Sequence, residues 1–110
     1  MAHPEFQVSK GKDDKFYFNL TAANGQVILS SQGYTTKEGC NTGMLSVKKN
    51  SANKKNFDRK DSKDGTHFFV LKAANSKVIA KSQMYKSNDS SENGIESVKT
   101  NAKIAKVNYL

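Results

Sequence analysis

The sequence predicts an α+β fold, in which two tandem βββα repeats form one mainly antiparallel, six-stranded sheet with two helices on one face and a pseudo-twofold axis between the repeats. Two observations predict it. The sequence of residues 17–34 recurs in similar form at residues 68–85, and each copy is typical of two strands joined by a tight turn. Each copy is followed by a stretch whose apolar residues have helical spacing.

A constant offset relates the two copies, because Phe18 matches Phe69 and Leu20 matches Leu71, each 51 residues apart. The match continues without a gap from residue 6 to residue 101 and indicates a tandem duplication. It predicts repeats at residues 1–52 and 53–110, with a polar seam around residues 51–55. A single unit of about fifty residues buries too little surface to be stable, so we expect both repeats to form one compact domain.

Each repeat begins with a short, rather polar strand, predicted at Glu5–Lys10 and at residues 56–61. Charged residues in these segments are typical of sheet edges, where they discourage pairing with other chains. A turn follows each strand, at residues 11–14 and 62–65, because Asp, Gly and Ser favour tight turns.

The central hairpin of each repeat turns at Asn24-Gly25 or at Asn75-Ser76. Asn-Gly is the usual pair of a two-residue type I′ turn, which needs positive φ at both positions. The register set by that turn places mostly apolar pairs on one face, predicted to be the core: Ala22 with Val27, Leu20 with Leu29 and Phe18 with Ser31, and likewise Ala73 with Val78, Leu71 with Ala80 and Phe69 with Ser82.

A helix is predicted after each hairpin. Thr35 or Thr36 caps the first and Ser87 caps the second, and an acidic residue in the first turn suits the positive end of the helix dipole. Asn50 and Asn101 are expected to close the helices in the left-handed conformation. The apolar stripe is narrow and consists of Cys40, Gly43, Met44 and Val47 in the first helix and Gly94, Ile95 and Val98 in the second.

Gly43 and Gly94 occupy the same place in the two helices, which predicts a close approach of helix and sheet there, since a helical Gly otherwise costs about 1 kcal/mol. The tail after residue 101 alternates Ile104, Val107 and Tyr109. That tail either adds a terminal strand or frays.

Composition limits the class of protein. The apolar fraction is 35%, the formal charge is +8, and Cys40 is the single cysteine, so no internal disulfide forms. No apolar run is long enough for a signal peptide or a membrane span, so we expect a cytoplasmic protein without a membrane partner. The internal pseudo-dimer favours a monomer. Basic residues are spread along the chain, which fits either a solvated surface or an anion-binding face.

The sequence gives no sign of catalysis, a cofactor or a metal site. Cys40 matches Ser91 and is interpreted as a small buried side chain rather than a nucleophile. His67 is interpreted as a packing residue, because a lone His is not a metal site. We therefore expect a non-enzymatic interaction module for an unknown protein or anionic partner.

Two groups of residues are candidates for binding. The junctions between hairpin and helix repeat a Ser-Gln-x-Tyr text, which suits either a small-ligand site or a device that satisfies strand ends. The outer sheet face mixes aromatic and basic residues, as in some domains that bind single-stranded nucleic acid; the alternative is that another subunit or exchanged strands cover it. The candidate residues are Tyr17, Gln32, Tyr34, Phe68, Lys81, Gln83 and Tyr85.

The tandem pattern Phe-x-Leu-x-Ala-Ala-Asn, Val-Ile, Ser-Gln-x-Tyr and Gly-x-x-Ser-Val-Lys resembles the YegP-like family of small, uncharacterised bacterial proteins. The second copy fits more closely, since the first has Gly33 where the second has Met84, and Gly39-Cys40-Asn41 inside its helix. The resemblance covers residues 6–101. It implies two βββα units in one sheet, leaves open whether strands are exchanged between them, and implies no function.

Overall fold

The computed structural model describes residues 3–110, which form two repeats of three strands and a helix, with an additional strand at the end. A short 3-10 helix, Lys54–Asn56, joins the repeats. The elements are β1 (Glu5–Lys10), β2 (Phe16–Thr21), β3 (Val27–Ser31), α1 (Lys37–Asn50), β4 (Phe57–Asp61), β5 (His67–Lys72), β6 (Val78–Lys81), α2 (Asn88–Ile104) and β7 (Lys106–Tyr109).

The seven strands form one mixed sheet in the order β4-β5-β6-β3-β2-β1-β7. Every neighbouring pair is antiparallel except β1 and β7, which are parallel. The prediction of six strands was therefore wrong by one, because the tail after residue 101 forms β7 along β1, and β1 is an inner strand rather than the predicted edge strand. Each repeat keeps its own three strands, and the repeats meet where Ser30 of β3 pairs with Lys81 of β6. These two positions match in the duplication, so the pseudo-twofold axis passes between them.

The hairpin turns differ from the predicted type I′ geometry. The Gly25 N–H donates to the Ala22 carbonyl at 2.9 Å, and the Ala22 N–H donates to the Gln26 carbonyl at 2.9 Å. In the turn, Gly25 has positive φ (+84°) and Asn24 does not. The loop is therefore longer than two residues, with a type I turn followed by one left-handed residue.

The longer loop changes the register beside it. Leu20 pairs with Leu29 as predicted, but a β-bulge follows and Thr21 pairs with Val27, so the predicted pairing of Ala22 with Val27 is wrong. The same bulge occurs in the second repeat, where Val78 is 42% exposed. Ile28 and Ile79, the extra residues of the two bulges, join the core in place of the valines.

The helix caps follow the predicted chemistry. The Thr36 hydroxyl accepts from the Gly39 N–H at 2.9 Å, and the Ser87 hydroxyl accepts from the Ser90 N–H at 3.1 Å. The far ends differ, because Asn50 does not have positive φ and Asn101 lies inside α2. Their amides instead donate to the carbonyl and hydroxyl oxygens of serines four residues earlier.

Both helices lie on the same face of the sheet and contact each other and both repeats. Phe6 packs edge-on against Phe18 with ring centroids 5.7 Å apart, and Phe18 stacks on Tyr34 at 6.2 Å. Phe57, Phe69 and Tyr85 repeat this arrangement in the second half.

The close helix-to-sheet contact predicted at the two helical glycines is confirmed. A Cβ on Gly43 would overlap the Tyr34 hydroxyl and lie 3.1 Å from a ring carbon of Phe18. A Cβ on Gly94 would meet Tyr85 and Phe69 in the same way. Each tyrosine is therefore held between its own helix and its own strand.

Candidate functional site

The sheet face opposite the helices, called the open face below, is not covered by any element within residues 3–110. Since Phe18, Leu20, Phe69 and Leu71 are buried under the helices, their neighbours in sequence point the other way. The open face consists of Gln7, Tyr17, Asn19, Ser30, Asp58, Lys60, Phe68, Val70, Lys72 and Lys81.

The centre of the open face combines a cation with an aromatic ring. The Lys81 Nζ lies 4.7 Å from the ring centroid of Phe68, within the range of a cation–π contact. Val70, which pairs with Lys81 across the strands, is only 5% exposed despite lying on this face. The long neighbouring side chains therefore cover Val70 and leave Lys81 at the surface.

Two other lysines of the open face are partly neutralised. Asp58 lies 2.9 Å from the Lys72 ammonium and 3.3 Å from the Lys60 ammonium. The hydrogen bond from Lys72, and then that from Lys60, lowers the pKa of the Asp58 carboxyl. Lys81, by contrast, forms no ion pair with any residue from 3 to 110, so on the open face its charge is not neutralised as those of Lys60 and Lys72 are.

Tyr17 lies at the other end of the open face and is held by its own repeat. Its hydroxyl donates to the Asp13 carboxylate at 2.6 Å. This bond raises the pKa of Tyr17 and lowers the pKa of Asp13. The Tyr17 ring also lies against Gly11 and Gly33, where an added Cβ would come within 3 Å of it.

The junction tyrosines lie on the helix side of the sheet, away from the open face. Burial raises the pKa of the Tyr34 and Tyr85 hydroxyls, and the neighbouring Gln32 and Gln83 side chains oppose that shift in part. The structure thus brings each Gln together with the Tyr of its own repeat. The seven candidate residues form two junction pairs and a separate open-face group of Tyr17, Phe68 and Lys81.

The junction serines satisfy backbone groups where the strands separate. The Ser31 hydroxyl accepts from the Phe18 N–H at 2.9 Å and donates to the Gln32 carbonyl at 2.8 Å. Ser82 does the same with Phe69 and Gln83. The backbone hydrogen bonds of the duplicated Ser in the Ser-Gln-x-Tyr motif therefore account for that residue without a binding role.

The other reactive side chains contribute little to a site. Cys40 is fully buried, as predicted, and burial raises the pKa of its thiol. The His67 Nδ1 lies 2.6 Å from Asp61 at the end of β4 and β5, half-buried at the sheet end. No group of three or more His, Cys, Asp or Glu within residues 3–110 is arranged to hold a metal ion. No helix in the same part of the chain is long and apolar enough to cross a membrane.

Sequence reasoning missed a groove between α1 and β7. A volume of about 200 Å³ lies between the two elements and is lined by Asn41, Met44, Leu45, Lys48, Val107 and Tyr109. The available signal was Leu45, which stands where the second copy has Glu96 and is 67% exposed. Leu45 lines a groove only because β7 lies beside α1, and the position of β7 was left open by the sequence.

The fold and its sites define a tandem βββα repeat protein with two helices on one face of a single sheet. A family model described as a domain of unknown function, DUF1508, matches the chain twice, at residues 12–58 and 62–108. The chain belongs to this family.

The relatives of the chain are bacterial proteins of the UPF0339 group. UPF0339 protein MS1092 of Mannheimia succiniciproducens is 41% identical over 93% of this chain and 90% of its own length. YegP of Escherichia coli is 44% identical over 87% of each chain. The solution NMR structure of YegP, a protein of unknown function, matches 99% of this chain and 94% of its own with a TM-score of 0.92. The resemblance to YegP-like proteins is therefore confirmed, and no activity comes with it.

Proposed function

We propose that this protein is a non-enzymatic interaction module whose open face binds an extended anionic partner, with single-stranded nucleic acid as the partner that the surface fits best. The contact of Lys81 with Phe68 carries the proposal, because it places an unpaired cation beside an aromatic ring on an uncovered sheet. Several single-strand-binding domains use sheet faces with aromatic and basic residues, which supply base stacking and phosphate contacts. The formal charge of +8 adds a general attraction for polyanions.

The duplication supports assigning binding to the second half of the open face. Lys81 occupies the position of Ser30 in the first copy, and Phe68 occupies that of Tyr17. Tyr17 is held by Asp13, whereas Phe68 has no hydroxyl and lies next to the Lys81 ammonium. The departures from the first copy therefore add a positive charge and remove the hydroxyl that holds Tyr17 to Asp13.

The junctions support a small-ligand site less well. The hydroxyl of each junction tyrosine lies against a helical glycine, so the helix already occupies one side of it. A metabolite screen by NMR would revive that function if chemical-shift changes clustered at Gln32, Tyr34, Gln83 and Tyr85.

Titration with labelled single-stranded DNA and RNA tests the nucleic-acid proposal. The affinity should fall by orders of magnitude between roughly 50 and 200 mM salt if several phosphates are contacted. Lys81→Ser, which installs the residue of the first copy, should weaken binding and reduce the salt slope by about one. Lys77→Ser, in the β5–β6 turn, is the matched control and should bind like the parent protein. A flat titration at low salt would exclude this partner, and equal losses in both variants would exclude the open face as its binding site.

A protein partner is the remaining alternative for the same face. Affinity capture from lysate with and without nuclease separates the two cases. Capture that survives nuclease and is lost in Lys81→Ser would assign the open face to an anionic protein instead.

A further inference from the structure

The two edges of the sheet differ in chemistry. The edge strand β4 carries Asp58, Arg59, Lys60 and Asp61, and Arg59 is paired with Glu92 of α2. Such charges discourage another chain from pairing there. The opposite edge strand, β7, carries Val107 and Tyr109, both of which are more than 40% exposed.

The outer edge of β7 presents unpaired backbone groups. The Lys106 N–H donates to the Pro4 carbonyl at 3.1 Å, and the Leu110 N–H donates to the Val8 carbonyl at 2.8 Å. In a parallel pair alternate residues bond to the same neighbour, so the N–H and C=O groups of Val107 and Tyr109 point away from β1. Within residues 3–110 no strand pairs with them.

An apolar groove runs beside this edge. Leu45 of α1 and the side chains of Val107 and Tyr109 line it, and Tyr109 is fixed by a 2.8 Å hydrogen bond to Asn41. A strand added outside β7 would place alternate side chains next to Leu45 on the helix side of the sheet.

Lysines rim the groove. The Lys37 Nζ lies 4.2 Å from the Tyr109 ring centroid, and Lys48 lines the groove itself. Neither ammonium forms an ion pair with a residue from 3 to 110. The charge next to the groove is therefore positive and lacks an internal counter-charge.

The equivalent face of α2 in the second copy has no such groove-lining leucine and forms ion pairs instead. Asn41 and Leu45 correspond to Glu92 and Glu96 of α2. Glu92 pairs with Arg59 of the neighbouring edge strand, and Lys54 lies within 4 Å of both glutamates. The same helix face forms ion pairs in the second repeat, whereas in the first it carries an uncharged amide and an exposed leucine.

We propose that the β7 edge binds an extended acidic peptide segment as an eighth strand, with an apolar side chain of that segment in the groove next to Leu45. Free edge groups supply the backbone hydrogen bonds, the groove supplies one side-chain pocket, and Lys37 and Lys48 select carboxylates over ammonium groups. This site is separate from the open face and does not depend on the function proposed for it.

A capped peptide of alternating valine and glutamate tests the proposal, with the valine–lysine peptide as the matched probe. In NMR titrations the valine–glutamate peptide should bind saturably and shift the amide signals of Val107, Tyr109 and Leu45, whereas the lysine peptide should not bind. Leu45→Glu, which installs the residue of the second copy at an exposed position, should weaken binding by about tenfold or more. The control Glu96→Leu should leave binding unchanged.

A second variant, Val107→Pro, tests the strand pairing itself. It removes an N–H that points away from β1, so the bonds between β1 and β7 remain and the fold should persist. Binding should be lost, with amide signal dispersion confirming the fold. Equal binding of the two peptides, shifts away from β7 and α1, or full binding by Leu45→Glu and Val107→Pro would each overturn the proposal. A β7-mediated dimer in place of peptide binding would assign the edge to a second copy of the chain and overturn it as well.

Discussion

At the scale of single residues, one packing contact requires both the duplicated Gly and the duplicated Tyr. Tyr34 stacks on Phe18 and places its hydroxyl against α1, and only a residue without Cβ leaves room for it at position 43. The same contact recurs between Tyr85 and Gly94. A glycine that weakens an isolated helix is thus required by the packing of this one.

Replacing Gly43 with Ala measures that packing. Ala favours the helix by about 1 kcal/mol, but overpacking against Tyr34 and Phe18 costs about 1–3 kcal/mol. Because the added Cβ would overlap the Tyr34 hydroxyl, we expect the cost to exceed the gain, with a net loss of stability of up to about 2 kcal/mol in a denaturant titration. Asn93→Ala, an exposed site beside Gly94, is the control and should show the helix-propensity gain alone. A Gly43→Ala protein as stable as the parent would mean that the tyrosine moves aside at no cost.

At the scale of the elements, the hairpin turns determine which side chains reach the core. Gly25 and Ser76 occupy equivalent positions with φ of +84° and +68°. The left-handed residue and the bulge next to it turn Ile28 and Ile79 into core residues. Ser76 accomplishes this with a side chain that disfavours the conformation.

Exchanging the two turn residues tests this difference. In the left-handed region a non-glycine residue pays about 1–2 kcal/mol, partly offset by the greater flexibility of unfolded glycine. Ser76→Gly should therefore raise the free energy of unfolding by about 0.5–1 kcal/mol, and Gly25→Ser should lower it by a similar amount. Urea titrations of both variants check the prediction. Changes of the same sign in the two variants would contradict it.

At the scale of the whole molecule, the two repeats share one core. The helix α1 contacts β5 and β6 of the other repeat, and α2 contacts β2 and β3. The β3–β6 pairing makes the sheet continuous through the pseudo-twofold axis. Neither repeat can bury its apolar face without the other.

Separating the repeats tests this dependence. Fragments 1–52 and 53–110 should each lack a dispersed NMR spectrum as monomers, because each loses the helix and strand contacts supplied by its partner. Mixing the fragments should restore the dispersed spectrum, since the pairing of β3 with β6 needs no chain connection. A dispersed spectrum from either monomeric fragment would show that a single repeat is sufficient.

Much of the fold and part of the candidate site could be predicted from the sequence. The offset between Phe18 and Phe69 indicated the duplication, the threonines at 35 and 36 and the serine at 87 indicated the helix starts, and Gly43 indicated the close contact. The open-face position of Tyr17, Phe68 and Lys81 followed from strand alternation. These features depend on local hydrogen bonding and on side-chain period, which neighbouring residues determine by themselves.

The tertiary structure decided what depends on distant partners. The sequence allowed the tail to form a strand, but its pairing with β1 is what places Val107 and Tyr109 at the edge of the sheet. The bulge moved Ile79 rather than Val78 into the core, and packing under α1 and α2 placed Tyr34 and Tyr85 away from the open face. The repeat and most of its elements were predictable from local sequence. The edge, the groove and the separation of the candidate residues required the fold, because a strand's neighbour and a side chain's surroundings are set by contacts far apart in the chain.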